Sequence, residues 1–402
     1  DGGRLYSDRR QAQSVSDNAA FAASSVIARN KLNSTNGTGV AGWTNSTLYK
    51  RAKRAANELL LDNGYGASDS NVSNLSVTLT RETDLGTYYE IIIEFDSTIP
   101  PTLIQVVYDG NLVSHSYAKV HIRPKVNIGF GYGMFSTSMS ECDALKITGS
   151  NTTTITDTGV YVASDGEDGS CDASTYGGSA DIYIEEDYTV SGTVQANGSG
   201  GTFVVGGGVN TNAPQQEIPY VPTPDCSGLP PGTYSAITHT YTPGIYPAGI
   251  SITGSAVTYT FNSGIYCITG NVKFNTGIIN GSDILLYLVN GDFDANGTEI
   301  NLAAAPKGVN VDASGNDWGG MVIYSDINNG QPLTFAGNAG SNFEGTVFAP
   351  SSLCTIVGNS DTDGFSTQLI CNMIVLNGSS DLYINLDAAT YYEPPATLDM
   401  IE

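Results

Sequence analysis

Three stretches far apart in the chain align without gaps: residues 145–162 (LKITGSNTTTITDTGVYV), 250–267 (ISITGSAVTYTFNSGIYC) and 374–391 (IVLNGSSDLYINLDAATY). Each opens with an apolar-alternating run, turns at a glycine (Gly149, Gly254, Gly378) and continues with a second alternating run. Ten residues past that glycine comes another small residue: Gly159, Gly264 or Ala388. Two residues further on stand Tyr161, Tyr266 and Thr390. Alternation with a period of two places side chains on opposite faces of a strand, and a glycine at a fixed interval marks a corner. A recurring unit of about 20 residues built this way is the signature of stacked β rungs, none of which can bury its inner face alone. The expected fold is therefore mainly β, with a right-handed β-solenoid (β-helix-like) domain over residues 136–395.

Charge divides the chain at nearly the same place. Residues 1–146 hold 14 basic and 14 acidic side chains, whereas residues 147–402 hold 26 acidic ones against Lys273 and Lys307 alone. The formal net charge of −24 thus sits entirely on the rung-like region. Nucleic acid and anionic membrane surfaces are excluded as its partners, and cations or a basic protein surface are its natural complements.

Six cysteines, Cys142, Cys171, Cys226, Cys267, Cys354 and Cys371, show no CxxC or zinc-type spacing. An even number without metal spacing reads as three disulfides formed in an oxidising compartment. Neighbouring rungs bring sequence-near positions together, so pairing in sequence order is expected. No run of 18 apolar residues is present.

The first 135 residues read as an α+β domain. Residues 5–29 are Ala-rich, free of Pro and Gly, and carry apolar residues at helical spacing through Val15, Ala19, Ala22, Ala23 and Val26. A second helix is predicted over about 47–62, ending at Asn63-Gly64. Four strands follow: LSVTLTRE, YYEIIIEF, TLIQVVYD and YAKVHIRP. His115 and His121 are expected on a strand of this domain and are assigned no catalytic role. Residues 214–231 (PQQEIPYVPTPDCSGLPP) are too rich in Pro to pair in a sheet and read as an insertion in the rung-like domain. No helix is predicted after Cys142, and residues 396–402 read as a tail without a periodic pattern.

The opening DGGRLYSDRRQAQSVSDNAAFAASSV resembles the segment that follows the membrane helix in TadE/TadG-like proteins of the tight-adherence pilus system. Asp1, Gly2, Gly3, Arg4, Asp8, Arg9, Arg10 and residues 17–23 carry the match. The segments ECDALKITGS, PDCSGLPPGTY and GIYCITGNV resemble the β-rich surface members of that group. The resemblance implies an exported surface protein of a prokaryote, with its membrane anchor lost by cleavage or truncation, and it designates no catalytic residue.

Asp292, Asp294 and Asn296, with Gly297 at the sixth position, match the first half of a calcium loop. Ala303 occupies the position of the bidentate Glu, and a strand with outward polar residues explains the same pattern. Asp361-Thr-Asp363-Gly364 and residues 165–168 are weaker versions of the same signal. Up to and including Arg54, nine basic residues stand against three Asp; Arg4, Arg9, Arg10, Lys50, Arg51, Lys53 and Arg54 are the candidate contact residues among them. They read either as solvated helix faces or as a cationic surface that meets the acidic region of another copy, and head-to-tail contacts that fail to close build filaments.

The expected function is that of a non-enzymatic extracellular structural protein, the homopolymeric subunit of a surface filament, pilus-like fibre or sheath. A monomeric or pilus-tip adhesin that binds surface glycans through some of the 23 tyrosines is the alternative. A β-helix polysaccharide hydrolase comes third, since no Asp pair stands apart from surface decoration. No cofactor is expected beyond calcium.

Overall fold

The computed structural model describes residues 1–28, 46–82, 88–106, 110–123, 128–150, 152–197, 200–254, 257–336, 341–358, 365–378, 382–386, 391–394 and 397–401. It is mainly β, with two long helices and large multi-stranded sheets. The chain divides into two compact units, residues 1–126 with 395–402 and residues 127–394.

In the first unit two helices cover an antiparallel sheet. Helix α1 (Gly2–Ala28) buries Ala12, Val15, Ala19, Ala20, Ala23 and Ile27, a three-to-four spacing whose small side chains let the backbone lie close to its neighbours. Helix α2 (Thr47–Asp62) starts at Ser46, whose hydroxyl accepts the Tyr49 N–H at 3.1 Å. It buries Leu48, Ala52, Ala56 and Leu60 and stops at Asn63, ahead of Gly64 in the left-handed region. Strands β1 (Val72–Glu82), β2 (Tyr88–Ile99) and β3 (Leu112–Arg123) pair in that order, and Ile91, Ile93 and Phe95 of β2 are wholly buried.

Two expectations for this unit are corrected. The predicted strand TLIQVVYD is a 3-10 turn at Ile104–Val106, with residues 107–109 outside the described set. Pro100 and Pro101 precede it, and the Asp1 carboxylate accepts the N–H groups of Thr102 (3.0 Å), Leu103 (2.7 Å) and Ile104 (2.7 Å), so these donors go to a side chain instead of a ladder. The fourth strand comes from the other end of the chain. Thr397–Ile401, expected as a patternless tail, pairs antiparallel with β3 (Lys119↔Ile401, Arg123↔Thr397) and satisfies an edge that would otherwise be open.

In the second unit nearly all pairings are parallel and join each strand to the third one after it in sequence. Between residues 240 and 303 the partners lie 20 to 22 residues apart, as in Thr240↔Thr260, Ile250↔Val272 and Ile279↔Ile300. Three ladders result. The first runs through Gly244–Tyr246, Gly264–Ile268, Ile284–Leu288 and Met321–Ser325. The second runs through Ile250–Ile252, Val272–Phe274, Phe293–Asn296 and Leu333–Ala336. The third runs through Thr240–Tyr241, Thr258–Phe261, Ile278–Gly281 and Glu299–Ala303. Two long strands, Asn342–Gly358 and Phe365–Gly378, then pass through all three ladders in turn. Inward residues, among them Phe261, Phe274, Ile279, Leu286, Phe293 and Phe335, form one hydrophobic core.

Spatial order and chain order differ. Strand Met134–Ser136 lies on 369–371, Leu145–Gly149 on 374–378, and Thr152–Thr156 on Leu382–Asn385. The chain therefore enters the stack in its middle, winds outward to Gly208–Asn210, crosses to the far end, and winds back to meet its own starting rung. Residues 214–231 make that crossing. Their path is marked by Tyr161 donating to the Pro214 carbonyl (2.6 Å), by the Cys226–Cys267 disulfide, and by Ile245 N–H donating to the Pro230 carbonyl (2.9 Å). Seven interlayer steps separate Tyr161 from Ile245, about 34 Å, and 16 residues of polyproline-like chain reach about 50 Å. The strap covers the outer face of the first ladder, where Val221 joins Ile265, Cys267, Leu285, Tyr287, Tyr324 and Phe348 in a second core.

One helical turn, Gly166–Gly169, interrupts a region where no helix was expected. The other two disulfides are Cys142–Cys171 and Cys354–Cys371, so each bridge joins cysteines consecutive in the chain. Three disulfides fit an extracellular or secreted setting. No described helix is long and apolar enough to cross a membrane.

Candidate functional site

The seven cations singled out in the sequence fall on the two helices of the first unit, and the structure sorts them into two groups. Arg9 and Arg10 line a groove of about 630 Å3 between α1 and β3, together with Tyr6, Gln13, Tyr117 and Met400. Gln13 holds the groove wall by donating to the Tyr117 carbonyl at 2.6 Å. Arg10 also lines a shallower groove with Asn63, where α1 passes the end of α2. Arg4 reaches Thr102 at 3.5 Å. Lys50, Lys53 and Arg54 line a separate depression on α2 with Tyr49 and Leu61. Arg51 and Asn63 are 12 residues apart, about 18 Å along the helix, so the two groups do not converge on one point.

Local partners further divide them. Arg54 is paired with Glu58 one turn on (2.7 Å), which raises its already high pKa, and Lys53 stands 5.9 Å from the centre of the Tyr49 ring. Arg9, Arg10, Lys50 and Arg51 are exposed and form no ion pair among the described residues. Arg29 and Lys31 lie outside the described residues. The acidic residues of α1 are occupied differently: Asp8 accepts from Ser97 (2.5 Å) and Tyr65 (3.2 Å). Burial and the Asp8 carboxylate together push the Tyr65 phenol up to about 12. Two residues of the opening motif, Asp1 and Asp8, thus anchor α1 to its own unit.

His115 and His121 sit on β3 opposite acidic residues of β2. His115 meets Asp96 at 2.8 Å, while His121 (2.8 Å) and Lys119 (2.7 Å) share Glu90. Partial burial works to raise the Glu90 carboxyl, but its hydrogen bonds to Lys119 and His121 outweigh this and leave it below the usual range. These are cross-strand polar pairs, with Lys119–Glu90 an ion pair, and their role is structural.

Asp292, Asp294 and Asn296 lie at alternate positions of an extended segment, each about 6.6 Å from the next, and no loop curls them toward a common centre. Asp294 pairs in its ladder with Lys273 on one side and Thr334 on the other. Asp361, Asp363 and Gly364 lie outside the described residues. Among the described residues 11 tyrosines are buried, including Tyr188, Tyr266 and Tyr324, and so are withdrawn from any stacking platform; Tyr220, Tyr234, Tyr183 and Tyr383 are exposed.

Sequence reasoning missed a buried polar centre in the segment after Ala303. The Asp312 carboxylate accepts from the Trp318 indole (2.9 Å), the Asn316 backbone (2.9 Å) and side chain (3.1 Å), and the Asp225 backbone of the strap (3.0 Å). Trp318 is wholly buried and stacks on Tyr392 at 5.5 Å. The only available signal was one of two tryptophans within an Asp-rich, Gly-rich segment. Burial favours the neutral Asp312, yet the donors win and hold its pKa below the usual carboxylate range. A group depressed on folding stabilises fully above its unfolded pKa of about 3.9 and loses that contribution as pH falls through the folded value. Asp312→Asn turns an NH2 toward donors and is expected to cost about 2 kcal/mol at pH 7. It should also flatten the loss of stability below about pH 4, read from Trp318 fluorescence with Trp43 replaced by Phe.

No family model matches this chain, and no curated protein or solved structure is significantly similar to it.

Proposed function

We propose that the chain is the subunit of an extracellular structural assembly, a filament, pilus-like fibre or sheath, with an α+β head and a right-handed β-solenoid body. The resemblance of its opening segment to TadE/TadG-like surface proteins agrees with this reading. The observation that carries it is the separation of charge. The second unit holds 26 acidic and three basic residues, whereas the first holds 14 acidic and 13 basic ones, and Arg9, Arg10, Lys50 and Arg51 are exposed and unpaired there among the described residues. A cationic face on one copy complements the acidic body of another, and such a heterologous contact propagates.

Light scattering on the full chain tests this. At 50 mM NaCl the particles are expected to be far larger than at 0.5 M, where charges are screened beyond about 4 Å. Arg9→Glu with Arg10→Glu should bring the low-salt particles down at least fivefold in mass. Unchanged particle size in that variant would remove the charge contact from the account.

A further inference from the structure

We infer that the groove between α1 and β3 takes one particular part of another copy, the acidic corner formed by Asp157, Glu185, Glu186 and Asp187. This rests on the charge contact proposed above and names the two surfaces that make it. Among the described residues of the second unit seven acidic residues are exposed, and only Glu141, Glu167 and Glu217 of these stand away from this corner. The other four gather where the chain turns from the third ladder into the first on two successive rungs.

The corner concentrates charge without balancing it. No Lys or Arg occurs between Lys146 and Lys273, and Lys146 is itself held by Asp143 at 2.7 Å. Neighbouring like charges repel, and an opposing cationic face removes that cost. The next rung leaves the corner uncovered, because Gly206 and Gly207 occupy the same turn and a side chain on Gly207 would run into the Asp187 carboxylate. A metal ion is the other natural complement of four carboxylates. Among the described residues, however, no three of them bring an oxygen each within 4.8 Å of one another. The acids are spread as on a protein face, whereas a calcium site gathers its oxygens about one centre.

The groove has the matching composition. Arg9 and Arg10 offer two guanidinium forks, each able to take a carboxylate through two parallel N–H groups. Among its lining residues the one carboxylate, Asp17, is occupied by the Gln13 amide at 2.8 Å, and Lys119 is held by Glu90 at 2.7 Å. The two arginines therefore set the sign of the groove. Tyr6, Tyr117 and Met400 are exposed beside them, and Arg, Tyr and Met are residues that protein interfaces collect. The corner presents the same kind of apolar flank: Tyr183 is exposed two residues before Glu185, and the exposed Tyr383 accepts from Thr156 at 2.9 Å, next to Asp157.

Light scattering of the full chain at 50 mM NaCl tests the pairing by charge exchange. Glu186→Arg with Asp187→Arg leaves the Glu185 carboxylate on the Asp157 N–H (2.8 Å), and its melting temperature should stay within about 3 °C of wild type. Its particles should be at least fivefold lighter than those of wild type, as for Arg9→Glu with Arg10→Glu. An equimolar mixture of these two variants should at least double the particle mass of either alone, because the intact groove of one meets the intact corner of the other. Glu141→Arg with Glu217→Arg changes the net charge by the same amount away from the corner and should leave particle mass within twofold of wild type. A corner variant that assembles like wild type, a mixture no heavier than its parts, or an equal fall in the Glu141 and Glu217 variant would overturn the corner as occupant while the charge contact stands. Wild-type particles that stay single at 50 mM NaCl would overturn both. Polygalacturonate retained by wild type but not by Arg9→Glu with Arg10→Glu would then give the groove to an acidic glycan.

Discussion

Gly149→Ala is expected to destabilise the second unit by about 3 kcal/mol, a fall in melting temperature of about 8 °C, while Gly254→Ala changes it by less than about 0.5 kcal/mol. The two glycines occupy the same position of the sequence repeat, so a reading from sequence alone predicts the same outcome for both. Their surroundings differ. Gly149 has φ +116°, and a Cβ there would stand 2.2 Å from the carbonyl oxygen of Gly378 in the neighbouring rung. Gly378 is its ladder partner, and a Cβ on Gly178 of the next rung would in turn meet the Gly149 carbonyl at 2.4 Å. Side chains are excluded from this corner because rungs 4.8 Å apart stack backbone on backbone. At Gly254 the same test finds nothing within 4 Å and no left-handed φ. Thermal denaturation followed by circular dichroism separates the pair. Equal effects at both positions would contradict the stacking of Gly149 on Gly378.

Cys226→Ala with Cys267→Ala should cost about 4 kcal/mol, the loop-closure value for the 41-residue separation of these cysteines. The effect should be local. Cys267 is buried on the outer face of the first ladder, and Cys226 is the one covalent tie between that face and the Pro-rich strap. Polyproline-like chain makes no internal hydrogen bonds, so the strap is held by that bridge, by Val221, by the Asp225–Asp312 bond and by the carbonyls of Pro214 and Pro230. Limited proteolysis of the double variant should cut within residues 214–231 while the rungs stay intact. Cleavage spread evenly along the chain would mean that the strap is not a separable layer.

Strands were legible in this sequence because alternation and corner glycines act locally. The two helices were legible for the same reason, and α2 begins and ends at the Ser and Asn-Gly signals that terminate helices. What was hidden depends on distant residues. TLIQVVYD alternates like a strand, but Asp1, a hundred residues away, takes its N–H groups. TLDMI is too short to show a period, and only the free edge of β3 makes it a strand. The order of the rungs was likewise invisible, since every rung offers the same backbone pattern. Residues 374–378 and 145–149 are aligned by the repeat and are also direct neighbours, a fact that sequence spacing argues against. In the candidate site the cations were legible individually, but their division into two groups depends on how α1 crosses α2. Asp312 escaped notice because its partners Asp225 and Trp318 meet only through the strap.

Electron microscopy of the purified full chain in 50 mM NaCl bears most directly on the idea that this molecule exists to join copies of itself. The account predicts extended assemblies of many copies that disperse when the salt is raised to 0.5 M. Single particles of uniform size at every protein concentration would contradict it.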